Sequence, residues 1–82
     1  SIEQNIVPTL AFLQEAFDLT PAALRARVLK LPALLNYSIA KRYQPRIDQC
    51  LQAGAPVRDA LDKICYKDAD WQKRLHRYDT FL

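Results

Sequence analysis

Apolar residues return along the chain at helical intervals. Ile2, Ile6, Leu10 and Leu13 follow the i, i+4, i+8, i+11 spacing of one helix face. Ile39, Tyr43, Ile47 and Cys50 repeat that spacing 37 residues later. Setting residues 1–31 against 38–68 matches seven pairs outright: Ser1/Ser38, Ile2/Ile39, Pro8/Pro45, Ala16/Ala53, Ala23/Ala60, Leu24/Leu61 and Lys30/Lys67. A period of this size is what stacked helical units produce. The plain alternative is chance likeness between two amphipathic helices, but the shared Ser and Pro are not core residues and need a cause of their own.

Each unit is drawn as helix, turn, helix and tail. Ser38 stands where an N-cap belongs, and the helix after it is expected to run to Ala53 and stop at Gly54. Pro45 falls inside that helix and Pro8 at the same phase of the first unit, which predicts a bend in each. Thr20-Pro21 opens the second helix of the first unit, with Thr as N-cap and Pro at the first helical position. Leu24, Val28 and Leu31 form its expected buried stripe. Pro32 ends it, and Pro32–Leu35 is short enough for a 3₁₀ turn. In the second unit, residues 56–66 are expected to carry Leu61, Ile64 and Cys65 inward. A final helix is expected from Trp71, capped by Asp68 or Asp70.

Composition narrows the class. The chain has 82 residues and one glycine, Gly54, so tight hairpin turns that need positive φ are disfavoured. It holds 11 Ala and 12 Leu against 8 Val plus Ile, a balance that favours helix. The expected fold is all-α: an α-solenoid fragment of two helix–turn–helix units with short 3₁₀ turns. Its parts are a first repeat at 1–37, a degenerate terminal repeat at 38–74 and a tail at 75–82. No apolar run approaches the ~18 residues of a membrane helix. The chain contains no Met, so it is read as processed or as part of something longer. Cys50 and Cys65 are read as reduced core thiols.

Charge is unevenly spread. The net charge is only +3, yet residues 25–46 carry Arg25, Arg27, Lys30, Lys41, Arg42 and Arg46 with no acid. Arg42 and Arg46 are i, i+4 neighbours, and Arg27 and Lys30 are i, i+3 neighbours. Phosphate suits such a block: Arg offers a planar fork, Lys a point charge, and counterion release supplies free energy. Tyr37 and Tyr43 are available for stacking. The competing reading is a solvated basic face.

The stretch Leu31-Pro32-Ala33-Leu34-Leu35-Asn36-Tyr37-Ser38-Ile39-Ala40-Lys41-Arg42-Tyr43-Gln44-Pro45-Arg46-Ile47 resembles the repeat of the mitochondrial transcription termination factor (mTERF) family. That repeat reads roughly P-x-L-L-x-Y-S-L-E-K-R-L-x-P-R-L, followed by an apolar helix and Gly. Ser1-Ile2-Glu3-Gln4-Asn5-Ile6-Val7-Pro8 looks like the same element, with the Glu that Ala40 lacks. The resemblance spans about residues 1–67. It implies units of two helices and a 3₁₀ turn, stacked into a solenoid that binds nucleic acid in mitochondria or plastids. Lys67-Asp68-Ala69-Asp70-Trp71-Gln72 replaces P-x-L-L in the second unit, which suggests a terminal cap.

Catalytic chemistry has little to stand on. His76 is the only histidine and lies in a polar stretch. Cys50, Cys65 and His76 lack the close spacing of structural zinc sites. Asp68 and Asp70 form a D-x-D, read as helix capping before ion binding. The leading expectation is a non-catalytic module, without cofactor or small-molecule substrate, that binds RNA or double-stranded DNA through Arg25, Arg27, Lys30, Lys41, Arg42 and Arg46. Mitochondrion is preferred over plastid, with roles in transcription termination, RNA maturation or the ribosome. The alternative is a structural subunit of an organellar assembly such as the mitochondrial ribosome, docking on other proteins through Trp71, Tyr78 and Phe81; that apolar end, with Leu82, is otherwise expected to seal the last unit.

Overall fold

The computed structural model describes the backbone of residues 2–79 and the side chains of residues 8–78. In chain order these residues form α1 (Ile2–Ala16), α2 (Pro21–Lys30), a 3₁₀ turn (Pro32–Leu35), a π-helical turn (Ile39–Tyr43), α3 (Gln44–Ala53), α4 (Asp59–Asp62) and α5 (Asp68–Asp79). No strand occurs among them, so the fold is all-α. The chain divides into two compact units, Ser1–Ile39 and Ala40–Leu82.

In the first unit, α1 packs on α2 and on the 3₁₀ turn. Leu13, Phe17, Leu19, Leu24 and Leu34 are its buried apolar residues. The end of α1 is a complete Schellman turn. Leu19 donates its N–H to the Gln14 carbonyl at 2.9 Å, and Asp18 donates to Glu15 at 3.4 Å. Asp18 sits between them at φ 51°, a left-handed position held here by a non-glycine residue. Thr20 then caps α2: its backbone is extended and its hydroxyl accepts the Ala23 N–H at 3.1 Å. Pro21 follows at the first helical position, where its missing N–H costs nothing. Leu31 donates back to the Arg27 carbonyl at 2.9 Å and Pro32 prevents any continuation. The α2 stripe is narrower than its spacing predicts: Leu24 is buried, Val28 half-buried and Leu31 exposed.

In the second unit, α3 packs on α4 and α5. Tyr43, Ile47, Cys50, Leu61, Ile64 and Trp71 are buried. Full burial of such a side chain contributes roughly 1.5–3 kcal/mol, so each matters in a core this small. The two prolines are handled differently. Pro8 lies within the continuous α1, whereas Pro45 stands in the first turn of α3, directly after the π-helical turn. Proline cannot donate to the carbonyl four residues back and its ring crowds that group. A wider turn before it relieves the crowding. At its other end α3 stops at Gly54, at φ 74° and ψ 18°, with Ala55 donating to the Cys50 carbonyl at 2.9 Å.

Three expectations need correction here. The helix at 56–66 shrinks to the single turn of α4, and Cys65 beyond it is exposed, not inward. The last helix begins at Asp68, three residues before Trp71. It runs unbroken through position 75, so residues 75–78 belong to α5 and are no separate tail. At the 37-residue offset Leu13 and Cys50, and Leu24 and Leu61, are alike buried, but Ala23 is exposed where Ala60 is buried and Leu19 is buried where Pro56 is exposed.

Candidate functional site

Two guanidiniums organise the second unit. A one-turn helix leaves its last carbonyls without intrahelical donors. Past α4 the chain does not continue as helix, and Arg42 and Arg46 donate to the carbonyls of Ile64 and Tyr66 there; Lys63 O, which accepts the Tyr66 N–H at 3.0 Å, takes a further bond from Arg46. Arg42 gives Nε and Nη2 to Ile64 O at 3.1 and 2.9 Å, and Nη2 to Tyr66 O at 3.1 Å. Arg46 gives Nη1 to Lys63 O and Ile64 O at 3.0 and 3.1 Å, and Nη2 to Tyr66 O at 2.7 Å. The same Nη2 lies 3.4 Å from Asp68 Oδ1, but that carboxylate is 92% exposed, so the ion pair adds little beside the carbonyl bonds. The Arg46 guanidinium also stacks 4.9 Å from the centroid of Trp71.

Arg46 is therefore only 3% exposed. This corrects the expectation that it faces phosphate: its fork is spent on backbone carbonyls. Arg42 is half-buried and engaged on the same carbonyls, so it too serves the fold. Lys41, beside it on the π-helical turn, is exposed. Arg25 and Lys30 are exposed on α2 and Arg27 is half-buried there. The structure thus places Arg25, Arg27 and Lys30 on one helix of the first unit, and Lys41, Arg42 and Arg46 in the second unit. Within α2, Arg27 and Lys30 occupy the last turn, where cations suit the helix dipole.

The expected docking residues fare unevenly. Trp71 is 1% exposed, and its Nε1 donates to Gln49 Oε1 at 2.7 Å. It seals the second unit, the first of the two roles expected of this apolar end, and offers no surface, which corrects its assignment as a docking residue. Tyr78 is half-buried and donates its hydroxyl to Asp59 Oδ2 at 3.2 Å. Phe81 lies outside the described residues. Asp59 itself is buried, and Arg74 Nε reaches the same Oδ2 at 3.1 Å. That hydrogen bond raises the Arg74 pKa. Desolvation, then the Asp59 carboxylate, raises the Tyr78 hydroxyl. Burial, then Asp59, pushes up the Cys50 thiol, which is fully enclosed.

Two surface features escaped the sequence reading. In the second unit Tyr66, Asp70, Lys73, Arg74 and Arg77 line a polar cleft of about 370 Å³. Its signal was present: positions 70, 73, 74 and 77 share one face of a helix. In the first unit Leu10, Leu24, Arg25, Val28, Leu29 and Leu35 line an apolar groove of about 320 Å³. Leu29 at its rim is 76% exposed. Among the described residues no three His, Cys, Asp or Glu side chains gather as metal ligands. No helix described is long and apolar enough to cross a membrane.

Fold and site together define a small all-helical protein with cationic helix surfaces. Compared with protein-family models, with curated proteins and with solved structures, the chain matches none of them.

Proposed function

We propose that the chain is a non-catalytic module that holds the backbone of nucleic acid, RNA or double-stranded DNA, in organellar gene expression. The observation that carries this reading is α2: it sets Arg25, Arg27 and Lys30 on ten residues without one acid, and two of the three are exposed. Lys41 adds a further exposed cation. The likeness of residues 31–47 to the mTERF repeat supports the same reading, with a portion of a helical-repeat solenoid as architecture and the mitochondrion, or else the plastid, as setting. The contact set differs from the six cations of the basic block: Arg42 and Arg46 hold the fold, Arg25, Arg27 and Lys30 meet phosphate along α2, and Lys41 is a separate phosphate contact of the second unit.

Measuring affinity for single-stranded RNA and for duplex DNA across a salt series tests this. Affinity should fall steeply as salt rises. Arg25→Ala with Lys30→Ala should lower the log–log slope by about 1.4 on single strands, two contacts at ~0.7 each. Absence of binding at low salt would falsify the reading.

A second reading is favoured by one observation, the exposed Leu29 beside the apolar groove of the first unit. Here the chain is a structural subunit docked on another protein of an assembly such as the mitochondrial ribosome. Leu29→Gln, which adds no charge beside Arg25 and Lys30, should then release it from that assembly and leave its salt-dependent RNA affinity unchanged.

A further inference from the structure

The cleft along α5 mixes charges in a way that selects a ligand. Lys73, Arg74 and Arg77 are three cations on one helix face, and Asp70 shares that face one turn earlier. Arg74 is already positioned, because Asp59 holds its Nε at 3.1 Å. Its guanidinium need not be ordered when a ligand arrives. Tyr66 closes the cleft with a half-buried ring, beneath Lys63 Nζ at 5.7 Å. A bare phosphate gains from the cations but is repelled by Asp70. A hydroxyl beside the phosphate changes the sign of that last contact, since it donates a hydrogen bond to the carboxylate.

Ribose–phosphate is the common unit that offers both groups side by side; deoxyribose lacks the 2′-hydroxyl. We propose that this cleft binds a ribose–phosphate unit. Lys73 and Arg77 meet the phosphate, Arg74 supplies a fixed edge, Asp70 accepts the 2′-hydroxyl, and the Tyr66 ring lies near the base. The inference rests on the nucleic-acid reading above and selects RNA within it. The same chemistry is carried by an RNA chain or by a free ribonucleotide.

Amide chemical shifts of the full chain, followed during titration, test it. The probes are a short single-stranded RNA, DNA of the same base order, uridine 3′-monophosphate and its 2′-deoxy counterpart. RNA should bind about tenfold more tightly than DNA, the scale of one hydrogen bond to a charged group, and amides of α5 should move. Asp70→Ala should abolish the preference without weakening DNA binding. Lys73→Ala with Arg77→Ala should remove the α5 shifts; Asp70, Lys73 and Arg77 are exposed, so the fold should survive. Equal affinity for RNA and DNA, or tighter binding of both by Asp70→Ala, overturns the proposal. RNA binding whose shifts are confined to α2 overturns it and leaves the nucleic-acid reading standing. If no polymer binds but the ribonucleotide still moves α5 and outcompetes its deoxy counterpart, the nucleic-acid reading falls and the cleft is a free-nucleotide site. Silence from every probe overturns both.

Discussion

Asp18 and Gly54 do the same backbone work with different side chains. Each follows a first helix and adopts a left-handed conformation, φ 51° and φ 74°. An L-residue with a Cβ is strained there by about 1–2 kcal/mol, less for Asp than for most. Asp18→Gly should therefore stabilise the first unit by about 1 kcal/mol, read as a rise in thermal midpoint. Gly54→Ala should cost the second unit about 1 kcal/mol although open space surrounds the site, because the penalty is torsional and not steric crowding by neighbours. A fall in midpoint for Asp18→Gly would show that its carboxylate has a role the turn geometry does not reveal. Gly54 was readable in the sequence as the only glycine after an apolar run. Asp18 was not, since an aspartate carries no mark of positive φ.

At the scale of elements, the decisive contact is between α3 and the segment after α4. Arg46 serves three carbonyls and stacks on Trp71. Arg46→Ala would remove three charge-assisted hydrogen bonds and the Trp71 stack, while Arg42 still serves Ile64 O and Tyr66 O and the Tyr66 N–H still serves Lys63 O, so the loss should be about 2 kcal/mol, a large share of a small domain's stability. Arg46→Lys should recover little, because one compact ammonium cannot span the carbonyls that a planar fork does. Urea unfolding followed by Trp71 fluorescence measures this directly, as Trp71 is the only tryptophan and lies in the second unit. Recovery of full stability by Arg46→Lys would show that charge alone suffices.

Helix starts and stops of the first unit were legible because they rest on local chemistry: Thr20-Pro21 opens α2, and Pro32 closes it into a 3₁₀ turn. The second unit was harder. Nothing local marks α4 as a single turn, and an arginine on the flank of an apolar stripe looks solvent-facing until its acceptors exist. Those acceptors, Ile64 O and Tyr66 O, are 18 to 24 residues away in sequence and are backbone atoms with no compositional signature. The same long-range contact that hid the role of Arg46 also removed it from the candidate phosphate site.

For the whole molecule, displaced proton equilibria gather in the second unit. Cys50 and Tyr78 both have raised pKa values, and both lie beside Asp59. A raised value means the folded unit holds its proton when the unfolded chain has released it. Stability from these groups is thus complete below their ordinary values, 9.0 for the thiol and 10.0 for the phenol, and drains as pH climbs through the folded values. Urea midpoints read by Trp71 fluorescence should be level from pH 7 to about 9 and then fall. Cys50→Ala should lower the midpoint at pH 7, since a fully enclosed sulfur is lost, yet flatten the alkaline decline. If Cys50→Ala leaves the alkaline decline as steep as before, the thiol is not the titrating group and Tyr78 carries the effect. The two variants then separate naturally, because Tyr78→Phe removes the phenol at a half-buried site where little packing is lost.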